Sequence, residues 1–468
     1  MGRAYDVAVL GAGPAGLAAA YRAAASGRSV VVLEQSDHVG GLAGSFDVDG
    51  VRVDHGSHRL HPSCPPEILG VLRRLLGDDL QLRQRNGRIR LAGRWVAFPP
   101  RAADLVRQLP LGFVVGMARD AATAPWRRPR ADTFAEVLQA GLGPTMARSF
   151  YFPYVRKIWG TEPEHLSGEL ARRRVGARGP GALVRRVVRP EPGRGVFYYP
   201  RRGYGAISEV LRDAALDAGA EVRLGAEVTG LQVPPTDDGP HPATIDLANV
   251  ASVAAAWVFS TLPLALLARL VRPAPPDAVR TAAADLTYRA LVLVYLTLDR
   301  ARYTPFDAHY FPGPDVVCSR LSEPKNYRDG AGVDPPDHTV LCAEVPCSVG
   351  DAVWCTPDDA LGARVVDDLA SAGLPRARPV NVTVRRVPRA YPCYRVGYET
   401  AFTTLDGWAS RLGPVVTLGR QGLFAHDNTH HAMAMGWAAA DAVGADGRFD
   451  RAAWAAARAR FAAHVVED

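Results

Sequence analysis

The opening stretch, AYDVAVLGAGPAGLAAAYRAAASGRSVVVLEQ, constrains this chain more than any other. Asp6 to Leu10 is a short Val-rich run, the pattern of a strand buried on both faces. GAGPAG follows, with Gly11, Gly13 and Gly16 at G-x-G-x-x-G spacing, and an Ala-rich helix begins at once. Gly27 stands where that helix should stop. A second Val-rich strand, Ser29 to Leu33, ends at Glu34. This sequence predicts a complete βαβ unit. Gly11 permits the tight turn, Gly13 admits a pyrophosphate to the backbone, and Gly16 lets helix and strand pack closely. The N-terminus of the helix that starts at Pro14 and Ala15, with its free N–H groups from Ala15 on, then faces the phosphates, and Glu34 with Gln35 meets a ribose. A glycine-rich turn alone would be weak evidence; the turn with both strands, the helix and the acid predicts dinucleotide binding.

Beyond Glu34 the string SDHVGGLAGSF carries a Gly pair, Gly40 and Gly41, followed by Leu42. SFDVDGVRVDHGSHRLHP then alternates about Asp49-Gly50 as a hairpin should, and delivers Asp54, His55, His58, Arg59 and His61. Three histidines invite a metal reading. Their spacing is not that of a helical ligand pair and no carboxylate matches it, so no metal is expected. A solvated loop and a loop facing a cofactor remain.

Pro65 to Leu80 reads as a helix and Arg88 to Pro99 as a second hairpin. Arg101 to Trp126 is helical and mildly apolar, interrupted by Pro110 and Gly112. It reads as a wall of a substrate cavity in preference to a lid touching a membrane. Phe134 to Arg174 is helical, and 175–196 reads as a Gly/Arg/Pro-rich loop. Residues 197–270 return to strand, helix and strand, with a loop near 234–242. Strands dominate from about 280 to 385, and the chain closes with a strand, a Gly-rich loop and an Ala-rich helix capped by Asn428 or Thr429.

The 468 residues are too many for one compact core. A hydrophobic fraction of 48% with 22% charged residues is ordinary for a globular protein. The net charge of +7 rests almost wholly on arginine, with Lys157 and Lys325 the only lysines. Coding bias explains much of that; a basic cleft for an anionic substrate is the functional reading, since arginine grips carboxylate and phosphate bidentately. No basic block interleaved with aromatics suggests a nucleic-acid partner. The six cysteines show no C-x-x-C and read as reduced core residues of a cytoplasmic protein. No apolar run is long enough to span a membrane, and the N-terminus, being a strand of the cofactor fold, is not expected to be a signal peptide.

EQSDHVGGLAGSF resembles the FAD-binding extension of the amine oxidase, phytoene desaturase and protoporphyrinogen oxidase superfamily. GSHRLHP and YVRKIWGTEPEHLS are similar to segments shared by protoporphyrinogen-oxidase-like flavoproteins and UDP-galactopyranose mutases. CSRLSEPKNY, YPRRGYGAI, RAYPCY and GRQGLFAHDNTHHAMAMG resemble their later motifs, in order. The resemblance implies FAD and an α/β fold. A Rossmann-type FAD-binding domain of the glutathione-reductase type (1–75, 197–270, 386–468) would interleave with a mixed α+β substrate domain (76–196, 271–385). Gly11, Gly13, Gly16, Glu34, Gly40 and Gly41 would bind the ADP half, and Val228 would bracket the adenine. His58 would lie near the flavin ring, Gly419 and Arg420 would touch the cofactor, and the helix at Asn428 and Thr429 would aim its N-terminus at the ring. Tyr154, Trp159, Arg174, Arg320, Glu323 and Lys325 would line the substrate side, with core packing the competing role for Trp159. Arg320 and Lys325 should face a carboxylate such as Glu323, or an anionic ligand.

Two functions follow. One is an FAD-dependent oxidoreductase passing a hydride from a small polar, sugar-like or anionic metabolite to flavin N5, with His58, His61 or His426 as the base. The other is a non-redox mutase using reduced FAD on a sugar nucleotide. Two departures weaken the mutase resemblance: His426 occupies a position of its diphosphate-binding tyrosine pair, and Arg59-Leu60 replaces its Ile-Phe. Neither the electron acceptor nor the oligomeric state is legible in the sequence.

Overall fold

The computed structural model describes residues 4–98, 107–175, 195–234, 242–248 and 250–466. The loops expected over 175–196 and 234–242 lie outside them except at their ends.

Two large sheets organise the chain. The first runs Val271–Arg272, Val228–Gln232, Ala243–Leu247, Val253–Ser260, Ala4–Leu10, Val30–Leu33, Glu221–Arg223, with Val415–Thr417 also paired to Val253–Ser260. Its centre is parallel: Val7 faces Val30 on one side and Trp257 on the other. Val7 and Val9 belong to one hydrophobic cluster, Ala8 and Leu10 to another. The period of two in the strand thus feeds two cores, which explains why the sequence shows an unbroken apolar run where one-sided burial would give alternation.

Helices Pro14–Ala25, Ala206–Asp217 and Thr429–Asp441 supply the first core. The Ala-rich composition of the first and last has a packing cause. A Cβ on Gly436 would sit 2.1 Å from the Ala15 carbonyl oxygen, so the two helices touch backbone to backbone. Larger side chains would hold them apart. The second core lies against helices Phe134–Leu142, Leu264–Leu270 and Tyr398–Ala409.

The second sheet, of strands Pro379–Pro392, Tyr288–Leu298, Thr339–Cys347, Arg320–Ser322, Ala308–Tyr310, Gly87–Leu91 and Arg94–Phe98, is antiparallel except between Ala308–Tyr310 and Gly87–Leu91. It corrects two expected boundaries. Pro379–Pro392 crosses the 385/386 division while staying paired to Tyr288–Leu298 throughout, so it belongs whole to the second sheet. Val271–Arg272 belongs to the first, beside Leu231 and Gln232.

The helix expected from Pro65 to Leu80 ends at Leu76, where Gly77 takes φ 53°; Leu80–Gln84 is a strand paired with Val196–Pro200. Of the six cysteines, all free, only Cys355 is exposed. No helix among the described residues is long and apolar enough to cross a membrane.

Candidate active site

A cavity of about 900 Å³ opens along the edge where the first sheet meets the second. Its two ends are built differently.

At one end the backbone does the work. Gly11 holds φ 101°, and a Cβ there would lie 2.3 Å from the Thr261 hydroxyl oxygen. Gly13 has nothing within 4 Å of an added Cβ, so its backbone faces open cavity, and as the N-cap of Pro14–Ala25 it brings no capping side chain. Gly16 does not line the cavity; its Cβ would be 2.0 Å from the Gly11 carbonyl oxygen, which is the close helix-to-strand approach its position predicted. Gly40 is likewise a shaping residue: with φ 109°, its N–H donates to the Ala12 carbonyl at 2.8 Å. A Cβ on Gly41 would be 3.5 Å from Gly13 Cα, so the Gly pair is laid onto the glycine turn.

Glu34 accepts from the Ala12 N–H (2.7 Å) and the Ser36 N–H (2.9 Å), which aims its carboxylate along the cavity wall. Pro14, Ala15, Gln35, Leu42 and Val228 line the same end. Gly419, Asn428 and Thr429 also line the cavity, and Asn428 is the N-cap of Thr429–Asp441. An open glycine turn at a helix start, an oriented acid and a second helix N-terminus make up a donor set that fits the diphosphate and ribose of FAD.

At the other end side chains converge from distant segments. The hairpin Ser45–Val48 and Val51–Asp54 is anchored by buried Asp54, which accepts from Ser45 Oγ (2.6 Å), Tyr199 OH (2.6 Å) and the Tyr204 N–H (2.9 Å). His58 lies just beyond. Its Nε2 is 3.1 Å from the His55 carbonyl oxygen and therefore carries the proton, and its ring stacks on Tyr204 at 5.3 Å. Burial lowers the His58 pKa, so the imidazole is neutral.

Arg320 and Arg59 are the structural arginines of this end. Arg320 pairs with buried Glu344 at 2.7 Å, and Glu344 also accepts from the Ser57 N–H at 2.7 Å, clamping the loop that carries His58. Arg59 pairs with buried Asp307 (3.1 Å) and donates to Tyr310 OH (3.1 Å). Arg174, Arg389 and Arg420 also line the cavity, and none of them is in an ion pair among the described residues. Arg174 lies over Trp159 at 5.0 Å. Half-buried Arg420 donates to the Ala390 carbonyl (2.9 Å) and to His426 Nδ1 (3.2 Å), and its buried Nε has no partner among the described residues.

That contact decides the state of His426. A guanidinium only donates, so Nδ1 accepts and the proton sits on Nε2, which is buried without a hydrogen-bond partner. Burial, reinforced by Arg174, Arg420 and Arg173, holds the His426 pKa well below the usual histidine value. The expectation of a base titrating near neutral pH is therefore corrected: His426 presents an N–H donor.

Several expected site residues lie elsewhere. His61 is outside the cavity lining, with Nδ1 2.8 Å from Ser63 Oγ. Tyr154 stacks on Phe150 at 5.8 Å away from the cavity. Trp159 is buried 6.0 Å behind His426, in the packing role. Glu323 is not the partner of Arg320; it is buried and accepts from the Tyr303 and Thr304 N–H groups and Thr339 Oγ1. Lys325 donates to the Pro335 and His338 carbonyls and reaches no ligand space. Both serve loop closure because burial makes an unmet charge costly and nearby backbone groups satisfy it.

Residues 107–126 do not line the cavity, so the cavity-wall expectation for that stretch is corrected for its described part. Asp427, His431 and His464 bring ligand-type atoms within 4.8 Å of one another. Arg173 already faces that buried carboxylate at 3.7 Å and His464 faces it at 3.4 Å, so the chain itself supplies the countercharge.

Tyr391 and Arg389, which line this end, and Glu344, which braces it, were not singled out in the sequence. Tyr391 packs 5.5 Å from His426 and under Arg420 at 5.4 Å. The tyrosine of RAYPCY was a signal for it; nothing local marks Glu344 among the apolar residues of its strand.

Comparison with known proteins agrees with this architecture. A family model described as flavin containing amine oxidoreductase matches residues 14–444. Putrescine oxidase of Kocuria rosea is 35% identical over 136 residues, 27% of this chain and 28% of that protein. Phytoene dehydrogenase of Streptomyces griseus is 30% identical over 263 residues, 48% of this chain and 49% of that protein. The matches thus span from about a quarter to half of those relatives' own length. Among solved structures, reduced UDP-galactopyranose mutase superimposes with a TM-score of 0.79 at 20% identity, covering 98% of both chains. Cyclohexylamine oxidase from Brevibacterium oxydans IH-35A gives 0.68 at 19% identity, covering 94% of this chain and 98% of that one.

Proposed function

The chain belongs to the flavin containing amine oxidoreductase family and is an FAD-dependent enzyme, and from that premise we propose that it is an oxidoreductase acting on a small polar metabolite that carries an anionic group. The observation that carries this reading is the substrate end of the cavity. Among the described residues, half-buried Arg174 and Arg420 and exposed Arg389 have no carboxylate partner there, and the buried His426 Nε2–H has no acceptor. A partly buried cation without a countercharge is costly, most of all at Arg420, whose Nε is buried, and a bound carboxylate or phosphate would relieve it.

FAD, when bound, supplies the two-electron acceptor for a hydride from a substrate C–H bond. This chain's residues would do the rest. Gly11, Gly13 and the start of Pro14–Ala25 would hold the diphosphate, and Glu34 would accept from the ribose. The N-terminus of Thr429–Asp441 would favour negative charge at the ring. Arg420 and His426 would fix the anionic group of the substrate. His58, protonated on Nε2, would take a proton at Nδ1, its lowered pKa keeping it unprotonated at neutral pH.

The division into a cofactor and a substrate domain is part of this proposal, supported by the two sheets. So is a cytoplasmic location, supported by six free cysteines. A second reading, the mutase on a sugar nucleotide, is favoured by the full-length superposition of 0.79 and by arginines suited to a diphosphate.

An anaerobic titration of the flavin band decides between them. Bleaching by an anionic sugar acid, polyol phosphate or amino acid, lost on Arg420→Ala with FAD still bound, supports the oxidoreductase. A band that no such compound bleaches, with turnover of a sugar nucleotide by dithionite-reduced protein, supports the mutase.

A further inference from the structure

The stretch that fails to line the cavity has an exposed face of its own. Helix Leu111–Thr123 begins after Pro110 and runs into a turn of 3-10 helix ending at Trp126. Its inner side, Phe113 and Val114, packs on a cluster that includes Tyr310, whose hydroxyl accepts from the cavity residue Arg59. Its outer side follows the helical repeat through Leu111, Val115, Ala118 and Ala122, and all four are exposed. Leu111 and Trp126 are each 78% exposed and Val115 is 59% exposed. A surface helix ordinarily turns such a stripe inward.

Within residues 107–130 the exposed charge is one-sided, with Glu136 meeting only the Arg130 N–H from beyond. Arg107, Arg119, Arg127, Arg128 and Arg130 flank the stripe, and none of them is in an ion pair among the described residues. The one acid between 107 and 130, Asp120, is buried and accepts from the Thr145 N–H at 2.7 Å. Apolar side chains with a tryptophan, framed by unpaired arginines, match a helix lying in the interface of an anionic membrane. A second copy of the chain fits poorly, because a two-fold contact would set these arginines against themselves.

We propose that the Leu111–Trp126 segment docks this protein onto an anionic lipid surface. The segment lies on the membrane without crossing it. The apolar stripe enters the headgroup boundary and the arginines meet lipid phosphates.

The test is sedimentation of the FAD-loaded, full-length protein with vesicles. Vesicles of equal parts phosphatidylglycerol and phosphatidylcholine should carry the protein down. Pure phosphatidylcholine should bind at least about tenfold less, and added salt should release the protein. The double variant Leu111→Asp, Val115→Asp should lose binding by about tenfold or more, with flavin spectrum and melting temperature unchanged because both side chains are exposed. Arg119→Gln with Arg130→Gln should weaken binding to anionic vesicles alone. Failure to sediment with anionic vesicles overturns the proposal, as does binding indifferent to the aspartate variant. A dimer of the wild-type protein in light scattering that the aspartate variant converts to a monomer also overturns it, giving the face to a second copy.

Discussion

The two ends of the cavity use the same charge in opposite ways. At the phosphate end the positive potential comes from helix N-termini and bare N–H groups, and the residues that matter are those without side chains. At the other end it comes from arginines gathered from five separate segments, and the difference among these is whether a carboxylate faces them. Arg320 and Arg59 have Glu344 and Asp307; among the described residues Arg420, Arg174 and Arg389 have none. An arginine with a carboxylate is part of the scaffold, and one without is, in the proposed reading, free to meet an anion. A backbone site such as Gly16 leaves no room for an added atom, whereas a side-chain site tolerates truncation at the expense of binding.

The largest effect should come from breaking the backbone end. Gly16→Val places new carbons where the first is already 2.0 Å from the Gly11 carbonyl oxygen, so the helix must leave the strand. Purified protein should lack the flavin absorbance or fail to accumulate, whereas Gly13→Ala, with open space around it, should fold and bind FAD more weakly. Next is Glu344→Ala, which strands buried Arg320 and should destabilise the fold by roughly 3–5 kcal/mol, read as a lower denaturant midpoint. If Arg420→Ala cost as much stability, the distinction between scaffold and ligand arginines would be wrong. That variant should instead leave the midpoint nearly unchanged and raise the KM for an anionic substrate about 10- to 100-fold, the worth of a charge-assisted hydrogen bond.

A smaller effect sharpens the contrast by pH. Burial lowers the His55 pKa to about 4 from 6.5. The unfolded chain therefore binds the proton first as pH falls. Stability present above 6.5 is lost progressively toward pH 4, by on the order of 1 kcal/mol at pH 5.5 for this group alone. His55→Gln should flatten that slope in a urea series run from pH 7.5 to about 5.

How much of this was legible in the sequence differs along the chain in the same manner as the two ends differ. The glycine turn, Glu34, the Gly pair and Val228 sit in local patterns, since each is needed for a backbone conformation or an offset within one βαβ unit. All of them shape or line the cavity. Arg320 was recognisable, but its partner was not. Glu323 stands three residues away in sequence, yet Arg320 pairs across the sheet with Glu344, because neighbouring strands bring Arg320 opposite Glu344 in register. Lys325, next to the same motif, folds back onto the Pro335 and His338 carbonyls instead of reaching the ligand.

The sequence by itself determined the dinucleotide unit, the alternation of parallel strands with Ala-rich helices, and the residue types available to the cavity. Those properties follow from periodicity and from glycine's freedom, which act over a few residues. Only the tertiary structure decided which arginines are spent on carboxylates, that His426 is a neutral donor in place of a base, and that Leu111 and Trp126 face outward. Each of these depends on burial and on a partner brought from far along the chain. Charge state and exposure are properties of the packed surroundings, not of the residue that carries them.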